Sequence, residues 1–217
     1  MCMTYAECSD LKTDLKHNGG ITVRTNLDIL DRIWTDRPSV PLNPVSIQPI
    51  EYAGESCHDK LGRIRSSLLR RGASGMLMTQ LDDIAWTLNL RGTDVHCTPV
   101  FVAWLIVAEE VAVLYIKDEK LSPEVIEYLN AEGVAVDDYD NIIDALNSYD
   151  GYTLLIDPAT TNYTLSQLRG NFNLCGYPFC YTRSAINPLA HKLELSSCKL
   201  LFCGKEVTRI GPKGSRM

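Results

Sequence analysis

Histidines, cysteines and acids are all present, but few of them stand at spacings that do chemistry. His17, His58, His96 and His191 lie far apart. None has a second histidine or an acid at a helical metal spacing, and there is no H-E-x-x-H. His96 and Cys97 are adjacent and on paper form a thiolate–imidazole pair, but neighbouring residues rarely face each other. The chain has 8 cysteines. Cys175/Cys180 and Cys198/Cys203 share one spacing, C-x4-C, and four thiolates can hold zinc tetrahedrally. The tighter C-x2-C knuckle is absent, so plain buried or free cysteines are the competing reading. Asp82, Asp83, Asp94, Asp137, Asp138 and Asp140 find no glutamate at a spacing that would hold two metal ions. Asp82 and Asp83 suit a helix start, and Asp137, Asp138 and Asp140 suit a solvated loop. No G-x-S-x-G and no Gly-rich phosphate loop occurs.

One stretch stands apart: Asp82-Asp83-Ile84-Ala85-Trp86-Thr87-Leu88-Asn89-Leu90-Arg91-Gly92-Thr93-Asp94, leading into Pro99-Val100-Phe101. Asn89, Arg91 and Asp94 fall where a helix passes into a polar loop before a strand. Loops carried on a rigid sheet often hold function, which makes these three the candidates for a substrate-adjacent or interface role. The alternative is that Arg91 and Asp94 pair locally and only fix the turn.

The elements that must position this loop follow from periodicity. Leu11 and Leu15 mark a helix over 7–18, and Ile21 to Val23 reads as a brief strand. Residues 26–34 have a helix-like pattern. Pro38, Pro41, Pro44 and Pro49 then break both helix and ladder, which predicts a linker. Ser56 caps a helix, with Asp59 three residues on. Leu61, Ile64, Leu68 and Leu69 give it an apolar face, and Lys60, Arg63, Arg65, Arg70 and Arg71 a basic, solvated one. Next come a strand at Gly75–Thr79, a helix at 81–90, and strands Pro99–Val107 and Val111–Ile116 as a hairpin. Ser122-Pro123-Glu124 opens another helix. Strand Val134–Val136, a helix around Ile142–Leu146, strand Thr153–Ile156, helix Thr161–Leu168 and strand Leu174–Tyr177 complete the order. Such alternation predicts an α/β fold, a mixed sheet flanked by helices.

Composition bounds the function classes. The 217 residues carry a net charge of −6 with a sequence pI near 5.2, which offers no overall attraction for nucleic acid. Lys192, Lys199, Lys205, Arg209, Lys213 and Arg216 outnumber Glu194 and Glu206, so the tail differs in character from the body. No apolar run is long enough to cross a bilayer. The first residues carry acids and no apolar signal core, so the expected location is the cytoplasm and the expected state of the cysteines is reduced.

The stretch from Asp82 to Asp94, followed by Pro99-Val100-Phe101, resembles a signature of the cytosolic-type Xaa-Pro aminopeptidases, three-domain members of the creatinase/prolidase/aminopeptidase P group. Ile33-Trp34-Thr35-Asp36-Arg37-Pro38 resembles that family's join between first and second domains. Tyr52-Ala53-Gly54-Glu55-Ser56 and Lys60 fit the start of the second. The resemblance implies a creatinase N-terminal-like domain of ribonuclease H-like, three-layer architecture. It also implies an activity of the whole family protein: release of the N-terminal residue from peptides with proline second. A two-metal site, usually manganese, would lie on a C-terminal domain whose ligands have no counterpart here, and the intact protein is expected to be a homo-oligomer. The expected organisation is a remnant and linker over 1–45, one domain over 46–189 and a divergent tail over 190–217. A truncated or frameshifted reading frame would explain that tail. The rival readings are a stand-alone interaction module and a small zinc-binding protein using Cys175, Cys180, Cys198 and Cys203.

Overall fold

A computed structural model describes residues 3–25, 33–149 and 153–168, and the backbone of 171–174. The helix-like pattern at 26–32 and the four late cysteines lie outside these residues. Helix α1 spans Tyr5–Gly19 and opens on a reciprocal cap between Thr4 and Glu7. The expected strand at Ile21–Val23 is not formed: that stretch is irregular and largely exposed, and no strand among the described residues pairs with it. A two-residue strand β1 (Ser46–Ile47) and a short helix α2 (Ile50–Ala53) follow the prolines.

Helix α3 (Cys57–Arg70) begins at Ser56, whose Oγ accepts from the Asp59 amide as its position predicts. Strand β2 (Gly75–Met78), helix α4 (Leu81–Leu88), strand β3 (Leu90–Arg91), strand β4 (Trp104–Ala108) and strand β5 (Ala112–Ile116) come next. Then follow helix α5 (Pro123–Ala131), strand β6 (Val134–Asp138), helix α6 (Ile142–Ser148), strand β7 (Thr153–Ile156), helix α7 (Tyr163–Ser166) and strand β8 (Asn171–Leu174). Pro99 to Ala103 is irregular, so the hairpin is shorter than its β-rich composition predicts. Strand β8 ends at Leu174, and residues 175–177 of the expected strand Leu174–Tyr177 lie outside the described residues.

The main sheet has the order β6-β5-β4-β2-β7-β8. The β2–β4 and β4–β5 pairs are antiparallel, and the β5–β6, β2–β7 and β7–β8 pairs are parallel, so the sheet is mixed as predicted. Alternation along the strands divides the core in two. Met76, Met78, Leu105, Val107, Leu114 and Ile116 pack with Leu61, Ile64 and Leu68 of α3 and with Ile84 and Leu88 of α4. Leu77, Ile106, Tyr115, Leu154 and Ile156 pack on the other face with Ile142 and Leu146 of α6 and Leu165 of α7. Helices therefore cover both faces, which makes three layers.

Four contacts tie the first residues to this body. The Tyr5 amide donates to the Thr161 carbonyl at 2.9 Å and the Ala6 amide to Pro158 at 2.9 Å, while Tyr5 stacks on Tyr163. Lys12 also reaches the Tyr163 hydroxyl. At the other end, β1 pairs with β3, Ser46 opposite Arg91 and Ile47 opposite Leu90.

Candidate functional site

The candidate loop starts from a helix end that only certain residues tolerate. Asn89 caps α4 with φ 52°, in the left-handed region. Asparagine accepts that conformation more readily than most residues. Its side chain is spent on holding the turn: Nδ2 donates to the Glu55 carbonyl at 2.8 Å, and Oδ1 accepts from Lys60 Nζ at 2.6 Å.

Lys60 departs from the sequence expectation. It was assigned to the solvated face of its helix, yet it is 1% exposed. Its ammonium lies 4.2 Å from the centre of the Trp86 ring and donates to the Trp86 carbonyl at 2.8 Å as well as to Asn89. A buried ammonium needs such partners, because desolvation alone would neutralise it. Spacing carried the signal: Cys57, Lys60, Leu61, Ile64 and Leu68 share one helical stripe, and all are buried. Arg63, by contrast, stays partly exposed and pairs with Glu55 at 2.5 Å.

Arg91 and Asp94 do not satisfy the local-pairing alternative. Arg91 Nη1 donates to the Ala85 carbonyl at 2.9 Å and to its neighbour Leu90 at 2.8 Å. Asp94 instead pairs with Lys120, which arrives from the turn after β5, and neither side chain has exposed surface. The same Asp94 oxygen accepts from the Val102 amide at 2.7 Å, and the Asp94 amide donates to Val100 at 3.2 Å. Nothing in Asp118-Glu119-Lys120 signals a buried lysine in sequence.

Gly92 permits the loop to close. A Cβ there would stand 2.7 Å from Phe101 Cβ and 3.0 Å from the Val100 carbonyl oxygen. Beyond it Val95, His96 and Cys97 are exposed at the tip, and Cys97 has φ 60°. Asn89, Arg91 and Asp94 are thus all engaged in internal bonds; Asn89 is buried, Arg91 is a half-buried residue, and the Asp94 side chain has no exposed surface.

Other reactive groups are not brought together. Burial first, with Glu132 adding, pushes the Cys57 thiol up to about 12, which leaves it a poor nucleophile. Burial likewise pushes the Tyr128 hydroxyl up, and that hydroxyl donates to the Leu88 carbonyl at 3.1 Å. Asp138 is held below the usual carboxylate range by the Asp140 amide and by Lys117, which also bonds Asp140 at 2.7 Å. Asp137 Oδ1 accepts from Asn141 and from the Asp138 amide. These acids are engaged locally. Among the described residues no group of three or more His, Cys, Asp or Glu side chains is arranged to hold a metal ion. The donor set of the described residues therefore does not fit a two-metal centre. No helix among them is long and apolar enough to cross a membrane.

Residues 36–179 match the family model of the Creatinase/Prolidase N-terminal domain. The chain belongs to that family. A probable Xaa-Pro aminopeptidase P of Arthroderma gypseum is 38% identical over 144 residues, which are 66% of this chain and 22% of the relative. Aminopeptidase P2 of Arabidopsis thaliana is 36% identical over 153 residues, 69% of this chain and 22% of that protein. The crystal structure of an X-prolyl aminopeptidase from Caenorhabditis elegans, described as a cytosolic enzyme with a di-nuclear active site, superposes with a TM-score of 0.71. That match has 25% identity and covers 79% of this chain and 29% of the other. The chain thus spans 22% of the length of the two curated relatives named here.

Proposed function

We propose that this chain supplies the non-catalytic, creatinase N-terminal-like domain of a Xaa-Pro aminopeptidase, a metallopeptidase that releases the residue before a proline. The observation that carries the reading is the combined match: 38% identity to an aminopeptidase P over 66% of the chain and a TM-score of 0.71 against an X-prolyl aminopeptidase over 79% of it, beside the family model over residues 36–179. The functional unit would run over 46–189, preceded by a remnant and joint over 1–45 and followed by a distinct tail over 190–217.

In the intact protein, two metal ions, manganese on the family's precedent, would be held by residues of another domain, since the described donors here do not fit them. This domain would help wall the substrate entrance and shape a homo-oligomer in the cytoplasm. Arg91 would be the side chain that faces a peptide with proline second, with Asn89 and Asp94 holding its loop. The Arg91 Nη1 is held by the Ala85 and Leu90 carbonyls, which fixes where the guanidinium stands.

Two measurements test this. The purified 217-residue chain with added manganese should release no amino acid from a peptide with proline second, and measurable hydrolysis would overturn the non-catalytic reading. In a full-length relative carrying this domain, Arg91→Ala should raise KM with less effect on kcat. An unchanged KM would remove Arg91 from the substrate path.

A further inference from the structure

We infer that residues 43–48 form a fixed joint, not a flexible linker, and that two buried lysines, Lys60 and Lys120, are the positioning residues that lock it. The inference concerns the chain's own mechanics and does not depend on the peptidase reading.

Proline density over 37–49 alone says only that the chain there is stiff and unable to donate at four places, of which Pro44 lies in the joint. The contacts add anchorage. Val45 is 4% exposed and belongs to the core under α3 and α4. Its amide donates to the Lys120 carbonyl at 3.0 Å. The Gln48 amide donates to the Asn89 carbonyl at 2.7 Å, and Asn43 Nδ2 donates to the Thr93 carbonyl at 3.0 Å. Between them Ser46 and Ile47 pair with Arg91 and Leu90. A two-residue ladder has little stability of its own, so its partners must be held in place by something else.

The two ammonium groups do this from opposite sides. Lys60 bonds Asn89 Oδ1 and the Trp86 carbonyl, and so fixes the left-handed residue whose carbonyl receives Gln48. Lys120 bonds Asp94 and reaches the Val102 carbonyl at 3.3 Å, fixing the far end of the same loop, while its own carbonyl receives Val45. Both lysines are 1% exposed. Each side chain is therefore tied to the loop Asn89–Val102, and that loop together with the Lys120 backbone is tied to the joint. The direction in which the chain leaves the domain at Asn43 is set by these contacts.

The test is residue-resolved amide hydrogen exchange on the whole chain. In the wild type, Val45 and Gln48 should be protected at least about tenfold over an open chain, as amides in a cooperative unit are. Exchange at the open-chain rate at both positions would overturn the fixed joint. Lys60→Met and Lys120→Met should each lower protection at Val45 and Gln48 by about tenfold or more beyond whatever loss the reduced global stability imposes on the amides of β4 and β5. Wild-type protection at both positions in both variants would remove the lysines from the proposal. Should a lysine variant lose the β4–β5 amides too, Asn89→Gly and Asp94→Asn read the same links. Asn89→Gly keeps the backbone conformation and removes the acceptor of Lys60 together with the donor to the Glu55 carbonyl. Asp94→Asn removes only the charge opposite Lys120. Unchanged protection in these two variants counts against the lysines in the same way.

Discussion

Asp94 and Lys120 form an ion pair with no exposed side-chain surface on either partner, across 26 positions of sequence. Two charges buried together cost desolvation on both sides, and the pair offsets this only when its other bonds are made. Here that condition is met only in part: the pairing Asp94 oxygen also accepts from Val102 and Lys120 also reaches a carbonyl, but the other Asp94 oxygen is buried with no hydrogen-bond partner.

Removing one partner should be far worse than removing both. Asp94→Ala or Lys120→Met leaves a buried charge without its partner, and each should destabilise by about 3–5 kcal/mol in urea unfolding. The double variant Asp94→Leu/Lys120→Met should recover a large part of that loss. A double variant as unstable as the sum of the singles would show that the hydrogen bond to Val102, and not the charge pairing, carries the contribution.

Lys60 makes a different prediction. Lys60→Met keeps the length of the stem but strands the Asn89 side-chain oxygen, leaves the Trp86 carbonyl only the long bond from the Asn89 amide, and removes the ammonium from over the Trp86 ring. A stranded buried acceptor costs about 1–3 kcal/mol. Unfolding should fall by an amount in that range, and tryptophan emission of the folded protein should shift as the ammonium leaves the ring. A variant with wild-type stability and spectrum would mean that water replaces the ammonium at no cost.

Gly92 should tolerate no side chain. The methyl of Gly92→Ala would press on Phe101 Cβ and on backbone, not on the flexible end of a side chain. Overpacking of this kind costs about 1–3 kcal/mol. Gly62, where an added Cβ meets nothing within 4 Å, is the control. Gly62→Ala lies inside α3 and should stabilise by up to about 1 kcal/mol through helix propensity. The two thermal shifts should therefore have opposite signs.

The fold was legible in sequence wherever burial has a period. Leu61, Ile64 and Leu68 announced α3, Ser122-Pro123 announced α5, and the alternation of helix and strand announced a mixed sheet flanked by helices. The misses have physical causes. Ile21–Val23 has strand composition but no partner strand among the described residues, and composition cannot supply one. Ser46–Ile47 forms a ladder between prolines only because Leu90 and Arg91 lie beside it, a long-range fact. At the candidate site, Asn89, Arg91 and Asp94 were found as a loop, but their partners Lys60 and Lys120 were not. Charged residues are rarely buried, so the sequence prior pointed Lys60 outward although its helical spacing pointed it inward. For Lys120 no local pattern existed to read.

The thiols separate by environment, and alkaline pH makes the separation measurable. Cys97 is exposed, whereas Cys8 and Cys57 are buried. A thiol reagent applied to the folded chain, with sites mapped by mass spectrometry, should modify Cys97 and leave Cys57 intact until unfolding. The Cys57 thiol sits in the core under α3, and burial raises its pKa from 9.0 to about 12. Below pH 9 the thiol is protonated in both folded and unfolded chains, so it adds no pH dependence there. Between roughly pH 9 and 12 the unfolded chain releases a proton that the folded chain keeps, and stability falls as pH rises. The urea midpoint should decline across that window, and Cys57→Ala should decline less steeply. The difference in slope should approach, and not exceed, about 1.4 kcal/mol per pH unit, the value for one proton. Parallel declines in the two proteins would assign the alkaline loss to other groups, with the raised hydroxyls of Tyr115 and Tyr128 next in line.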